Sequence, residues 1–550
     1  MSAKNDRQQD GGRQDQTDQH EVIAALASGE LLATSDDKPR QVETHCSHIF
    51  LTADRAFKLK KAVAFSYLDY RSLAARERFI RAELDLNRRT APQLYLGIHK
   101  IARGDNGVLV LRPSEDPAPA LDWLLEMQRF PDDALLPDHV RRSELAPALL
   151  RDLADVIHDF HHQAQSRPDQ GGADEMGRVL QECLDNLRRQ APPLDQDIVA
   201  DLARDLTAQL TRQSVLLDQR RHDGFVRHCH GDLHLGNICV IDGKPVLFDC
   251  IDFSETLSCT DIAYDLAFLL MDLCHASLGD AAVGNTPVDQ ADIHPAGGDH
   301  ASGDHAGNAH ANLLLNRWID RSGDSAALAL MPFFQSLRAA VRAHILATSH
   351  RDAEARAYLA SAVAHLQPAT PRLIAIGGLS GSGKSTLARN LAPDFRPLPG
   401  ARIIRSDSLR KRLAGVAPET RLAPASYTPE MSQRIYTAML TEARQVLAAG
   451  YTVIIDAAFL RAGERDAVDA LAAELRVPCH GLWLDVPAGV LKERIAQRHD
   501  DASDADLAVL AWQLTLDLGP MAWQRIAAGT DPATSLAALR LAVKADRIAG

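Results

Sequence analysis

The octet from Gly378 to Ser385, reading GLSGSGKS, constrains the fold more tightly than any other stretch of the 550 residues. It is preceded by the apolar run RLIAIG and followed by the amphipathic run TLARNL, so a strand, a glycine-rich turn and a helix follow in immediate succession. In that context GxxxxGK[ST] is a phosphate-binding loop. Gly378, Gly381 and Gly383 permit a backbone that curls round an anion, and the amides of the turn, including those of Ser380 and Ser382, converge on it together with a helix N-terminus. Lys384 is placed to reach the β and γ phosphates of a nucleotide. Ser385 is the expected Mg²⁺ ligand, with Thr386 as the secondary candidate.

The chain around the octet has the rhythm of a parallel α/β sheet. Strands are predicted at 373–377, 402–405, 452–456 and 481–485, alternating with helical stretches, and the segment Pro368-Ala369-Thr370-Pro371 marks a boundary before the first of them. We place a P-loop domain at 371–535. Ligands of such sheets sit at the carboxyl ends of the strands. The run ARIIRSDSLR brings Asp407 and Arg410 to that edge, one to accept a proton from an attacking hydroxyl and the other to neutralise phosphoryl charge. YTVIIDAAF brings Asp456, a carboxylate for the metal or its water shell. Arg494 and Arg498, four residues apart, are expected on one helix face from which a closing lid could reach the phosphate. GLSGSGKS, SDSLR, VIIDAAF and the stretch ending at Asp504-Ala505, over 372–513, resemble the small P-loop kinases that include polynucleotide kinase, chloramphenicol phosphotransferase and the AAA_33 type. The resemblance implies Asp407 as general base and Arg498 as lid arginine.

A second, independent set lies in RHCHGDLHLGNICVIDGKPVLFDCIDF, from Arg227 to Phe253. His230, Asp232 and Asn237 form HxDxxxxN, followed by an apolar strand with Asp249 and Asp252. A loop aspartate can take the acceptor proton, an asparagine five residues on can hold Mg²⁺, and a strand-borne aspartate can bridge metal and phosphates. This set resembles the catalytic loop of aminoglycoside phosphotransferases and the related choline and fructosamine kinases, over about 22–366. The resemblance implies an α+β protein-kinase-like fold, Asp232 as base, His230 bracing the loop, and Asn237 and Asp249 as metal ligands, with Asp252 competing for the last role. Ahead of it, residues 48–63 read as a hairpin turning at Ala53-Asp54, and Leu73 to Arg89 as a helix. Lys58 and Lys60 share one face of the second hairpin strand by period two. Lys58 is the first choice for pairing with phosphate, with Glu83 as its partner from the helix and Glu77 as rival. No GxGxxG turn precedes this strand; THCS stands there instead. From about Leu121 the chain reads as predominantly helical.

The expected architecture is therefore two domains: a protein-kinase-like α+β domain of the aminoglycoside phosphotransferase type at 21–367, then an α/β P-loop NTPase domain. Residues 1–20 read as a disordered tail, and 276–310 as a low-complexity insertion whose histidines at 294, 300, 305 and 310 lack the fixed spacing of a metal site. The length agrees with more than one core. A net charge of -13 argues against coating nucleic acid or an anionic membrane. No apolar run is long enough to span a bilayer, and the eight cysteines show no CxxC pair, so a cytoplasmic protein with free thiols is expected. The cofactors implied are ATP and Mg²⁺. The partner implied is a small-molecule hydroxyl acceptor of unread identity, and oligomeric state is likewise unread. Two other functions remain open: one half as a non-catalytic nucleotide sensor, or the P-loop half as a nucleic-acid 5′-kinase, which the lack of a basic, aromatic surface disfavours.

Overall fold

The computed structural model describes residues 19–32, 38–65, 68–279, 303–497, 503–529 and 531–544. By contact density they divide into two compact units, one drawn from 1–144, 159–172 and 219–265, the other from 145–158, 173–218 and 266–550. This division does not follow the linker at 368–371. The helices that precede the linker pack with the P-loop sheet.

The first unit is built on a six-stranded antiparallel sheet in the order Arg40–Glu43, Ser47–Leu51, Arg55–Lys60, Asp122–Gln128, Tyr95–Arg103, Leu109–Pro113. The expected hairpin is present, with Ile49 opposite Lys58. The expected helix runs Leu73–Asn87, started by Ser72, whose hydroxyl accepts from the Ala75 amide. It turns Arg76, Ile80, Glu83, Leu84 and Asn87 inward at spacings of three and four. Ile80 and Leu84 meet Tyr95, Trp123, Leu125 and Met127 on one face of the sheet. On the other face Phe50, Phe57, Leu59 and Leu124 are covered by Val22 and Leu26 of a helix at 19–28. Covering both faces explains one correction. Asp122–Gln128, read as the start of a helical region, is a central strand; with neighbours on both sides its DWLLEMQ shows no alternation, and a short apolar run does not declare its period.

The second unit contains a five-stranded parallel sheet in the order Arg402–Arg405, Val453–Asp456, Leu373–Gly377, Cys479–Asp485, Gln524–Ala527. Four of the strands were expected. The fifth, on the edge, buries only Ile526 and carries too little apolar signal to be read. Ile374, Ile376, Ile403, Ile454, Leu482 and Leu484 form the core with Leu387 and Leu391 of the helix Lys384–Leu391. Ahead of the linker come the helices Gly303–Ser322, Met331–Thr348 and Asp352–His365. The stretch expected as a low-complexity insertion is helical at both described ends, in Ile262–Gly279 and Gly303–Ser322. His294 and His300 lie outside the described residues, and His310 is half-buried in a helix. All eight cysteines are free. Among the described residues no helix is long and apolar enough to cross a membrane.

Candidate active sites

In the first unit two lysines of one strand share one carboxylate of the adjoining helix. Because Lys58 and Lys60 are two residues apart, both emerge on the face covered by Leu73–Asn87, and Glu83 reaches them with separate oxygens, each at 2.7 Å. Each lysine has a second partner from the chain after the catalytic loop: Lys58 with Asp249 at 2.7 Å, Lys60 with Asp252 at 2.6 Å. Burial alone would raise Glu83, but Lys58 and Lys60 hold it down at about 2, so it stays a carboxylate at any working pH. Glu77, the rival partner, pairs instead with Arg81 on the helix surface.

The two lysine–aspartate pairs are not equivalent. Lys60 and Asp252 are 3% and 8% exposed, with the Lys60 ammonium over the Tyr70 ring, whereas the Asp249 side chain is 44% exposed. Burial pushes Asp252 up, with Lys60 opposing. Asp249 has a left-handed backbone (φ 63°) that turns the chain there, and its amide donates to the Tyr95 hydroxyl at 3.1 Å. A ligand can therefore reach Asp249 directly, while Asp252 faces the interior.

The loop carrying His230, Asp232 and Asn237 is held from beneath. Asp265 accepts from the His230 amide at 3.2 Å and the Gly231 amide at 2.8 Å, and its carboxylate also contacts His161 at 3.0 Å. The His230 ring lies 2.9 Å from the Phe248 carbonyl, tying the loop to the residue before Asp249. Asn237, itself buried, donates from Nδ2 to the Asp232 carbonyl at 2.9 Å and to the Asp232 carboxylate at 3.0 Å. Asp265, buried and 33 residues from Asp232, was not singled out in the sequence; an aspartate in the first turn of a mostly apolar helix was the signal available.

In the second unit the strands are level at their carboxyl ends, Ile376 and Arg405 both standing opposite Asp456. The P-loop begins beside Asp456. Ser385 Oγ donates to Asp456 Oδ2 at 2.6 Å, and Arg405 reaches both, at 3.1 Å to Ser385 Oγ and 3.3 Å to Asp456. The hydroxyl and carboxylate are hard oxygen donors of the kind Mg²⁺ takes. Lys384 Nζ curls back to the carbonyls of Gly378 at 2.8 Å and Leu379 at 3.0 Å. The glycines are sterically required: a Cβ on Gly381, at φ 83°, would lie 2.9 Å from the Leu491 carbonyl, and one on Gly378 would lie 2.9 Å from Ser382 Oγ. The Ser380 amide donates to Gln513, another residue not singled out. Thr386 is exposed on the outer side of its helix.

Asp407 is the second residue of the helix Ser406–Leu413. Burial raises its pKa, Arg405 pulls it down, Asp456 adds to the rise, and Ser503 hydrogen-bonds to it. Arg410 is buried, donating to the Ser426 carbonyl at 2.7 Å with its guanidinium 4.7 Å from the Tyr427 ring. Asp504 fastens this corner, accepting from Tyr427 and from the Leu422 amide and pairing with the buried Lys411 at 3.1 Å. A cavity of about 580 Å³ opens beside Ser503 and Asp504, lined also by Glu419, Arg421 and Asp506. Arg494 stands over the P-loop, its guanidinium 3.4 Å from the Ser382 carbonyl. The helix Ala488–Ala496 that carries it ends before Arg498, which lies outside the described residues.

Comparison with known families gives one match in each part of the chain. A phosphotransferase enzyme family, APH, matches residues 109–286, and an AAA domain family, AAA_33, matches residues 373–516. Among solved structures, a choline/ethanolamine kinase family protein from Mesorhizobium loti is similar at 12% identity over 64% of this chain and 95% of its own, with a TM-score of 0.36. A gluconokinase from Sinorhizobium meliloti 1021 is similar at 24% identity over 32% and 96%, with a TM-score of 0.22. The family matches define a transferase with a kinase-like domain followed by a P-loop kinase domain. Uncharacterized protein Rv2004c of Mycobacterium tuberculosis (strain ATCC 25618 / H37Rv) and uncharacterized protein Mb2027c of Mycobacterium bovis are each 30% identical over 483 residues, covering 85% of this chain and 88% of theirs. The chain belongs to the family of these mycobacterial proteins.

Proposed function

We propose that the chain is a bifunctional phosphotransferase with two ATP- and Mg²⁺-dependent sites, each moving a γ-phosphoryl group to a hydroxyl of a small molecule. The observation that carries this reading is the pairing, in each unit, of a cation for phosphate with a separate set of oxygen donors: Lys58 on Glu83 with Asp249 and Asn237, and Lys384 with Ser385 and Asp456. Mg²⁺ bound at such oxygens offsets phosphate charge and fixes phosphate geometry. In the first unit Lys58 holds the phosphates, Asp232 takes the acceptor proton, and Asn237 Oδ1 and Asp249 are the metal ligands. In the second unit the P-loop amides and Lys384 cradle the phosphates, Ser385 and Asp456 hold the metal, and Arg494 faces the transferring group. Asp407, with its pKa raised, takes the acceptor proton there. In both, the oxygen of the acceptor bonds to phosphorus as the bond to the ADP oxygen breaks. ATP as donor goes with a cytoplasmic setting. Incubation with γ-labelled ATP and a metabolite mixture tests the proposal: Asp232→Asn and Lys384→Ala should each remove one set of labelled products. Turnover persisting when both changes are combined would sink it.

A further inference from the structure

The strand Arg402–Arg405 lies at the edge of the parallel sheet, so its outward backbone groups have no neighbouring strand. They are met by side-chain amides. Asn316 Oδ1 accepts from the Ile403 amide at 2.8 Å, while Asn316 Nδ2 at 3.2 Å and Asn312 Nδ2 at 3.0 Å donate to the Ala401 carbonyl. Spaced four apart on the helix Gly303–Ser322, both asparagines present their amides on one face, 2% and 8% exposed. They stand where a sixth strand would stand, supplying one acceptor and two donors.

The same helix grips the strand's side chain and the element after it. Arg402, 2% exposed, pairs with Asp320 at 2.6 Å and Glu442 at 2.9 Å, and donates to Asn316 Oδ1 at 3.0 Å. Glu442 also accepts from Ser325 and pairs with Arg412 at 2.7 Å, and Arg412 in turn donates to the Ile319 carbonyl at 3.2 Å. Arg412 belongs to the helix that begins with Ser406 and Asp407. Asp407 is thus delivered by a strand clamped before it and a helix clamped after it, both to Gly303–Ser322. Ser385 instead rests on the helix Lys384–Leu391 and Asp456 on the strand Val453–Asp456.

We propose that Gly303–Ser322, which lies outside both matched family regions, is a positioning element of the P-loop transferase site, with Asn316 and Asp320 setting the place of Asp407. The inference rests on the reading of Asp407 as the base. It separates two properties: nucleotide binding depends on Lys384, Ser385 and Asp456, whereas transfer depends on the clamped strand as well.

The test uses the full chain in an Asp232→Asn background, so that ATP hydrolysis with water as acceptor reports the P-loop site. Asn316→Leu keeps the volume and removes both amide atoms. It should lower kcat by about tenfold or more with KM for ATP held within about twofold, because a small misplacement of a reacting group costs rate before binding. Amide exchange should quicken in the peptide spanning 400–413 and stay unchanged across 378–391. Asp320→Asn keeps a hydrogen-bond acceptor for Arg402 but not the charge, and should give a smaller fall in kcat of the same kind; it serves if Asn316→Leu does not fold. An unchanged kcat in either folded variant overturns the inference, as does a parallel loss of ATP binding and protection across both peptides. Asp407→Asn keeps the two ideas apart. If that variant retains full hydrolysis, the base assignment fails; if it loses hydrolysis while Asn316→Leu keeps it, only the positioning role fails.

Discussion

Glu83 carries two ammonium groups on one carboxylate, and the two lysines it holds differ in what surrounds them. Lys60 is the structural member. Replacing it with methionine leaves Glu83 and Asp252 facing each other in the interior, and breaking a buried pair in this way costs about 3–5 kcal/mol. Lys58→Met should leave stability closer to wild type, since Asp249 opens to solvent, and abolish turnover at the N-terminal site. Calorimetric melting beside a turnover assay checks both, and the assignment fails if the two variants exchange phenotypes. At the second site the raised Asp407 sets a pH dependence. If Asp407 is the base, as proposed, it acts only when ionised, so the rate should climb as pH rises through its folded pKa, which burial raises from the usual aspartate value. Arg405→Met removes the cation that pulls Asp407 down and should move that climb to still higher pH, read from kcat profiles of the two proteins.

At the scale of elements, the catalytic loop depends on Asp265, which opens the buried helix Ile262–Gly279 and accepts from two consecutive loop amides. Asp265→Ala would remove the buried carboxylate that both amides and His161 meet, at a cost of about 3–5 kcal/mol, and should lower N-terminal turnover as well. Urea unfolding and the turnover assay measure the two effects; a variant with wild-type stability and rate would remove Asp265 from the account. Legibility of elements followed local pattern. The strand before the P-loop, the Arg55–Lys60 strand and the Leu73–Asn87 helix were readable because apolar period and motif coincide within a few residues. Asp122–Gln128 and Gln524–Ala527 were not, the first buried on both faces and the second on scarcely one.

At the scale of the molecule, the helices before the linker at 368–371 and the P-loop sheet after it form one compact unit, so a cut at the linker would strip the sheet edge of Asn312 and Asn316. The same unit encloses His365, 1% exposed, whose ring nitrogens have no hydrogen-bond partner among the described residues. Burial, with Arg396 and His275 adding to it, holds its pKa down at about 3. Unfolding frees the ring to titrate near its ordinary value of about 6.5, so below that pH the unfolded chain binds more protons and stability is lost as pH falls. The loss should approach about 1.4 kcal/mol per pH unit between about 6 and 3. Urea unfolding at pH 7 and pH 5 should show about 2 kcal/mol from this one group, and His365→Leu should flatten the difference. Equal pH dependence in the two proteins would count against it.

The sequence by itself determined the class: the P-loop and the HxDxxxxN loop are runs of neighbouring residues whose chemistry needs their spacing and little else, and each implies its fold through the strand and helix beside it. Tertiary structure alone separated Lys58 from Lys60 and Asp249 from Asp252 by their exposure, because residues two or three apart look alike until burial tells them apart. It alone brought Asp265 under the catalytic loop and set Asn316 against Ile403, 87 residues away. Such contacts depend on how a helix meets a loop or a sheet edge, and pairings over that distance leave no period in the chain from which they could be read.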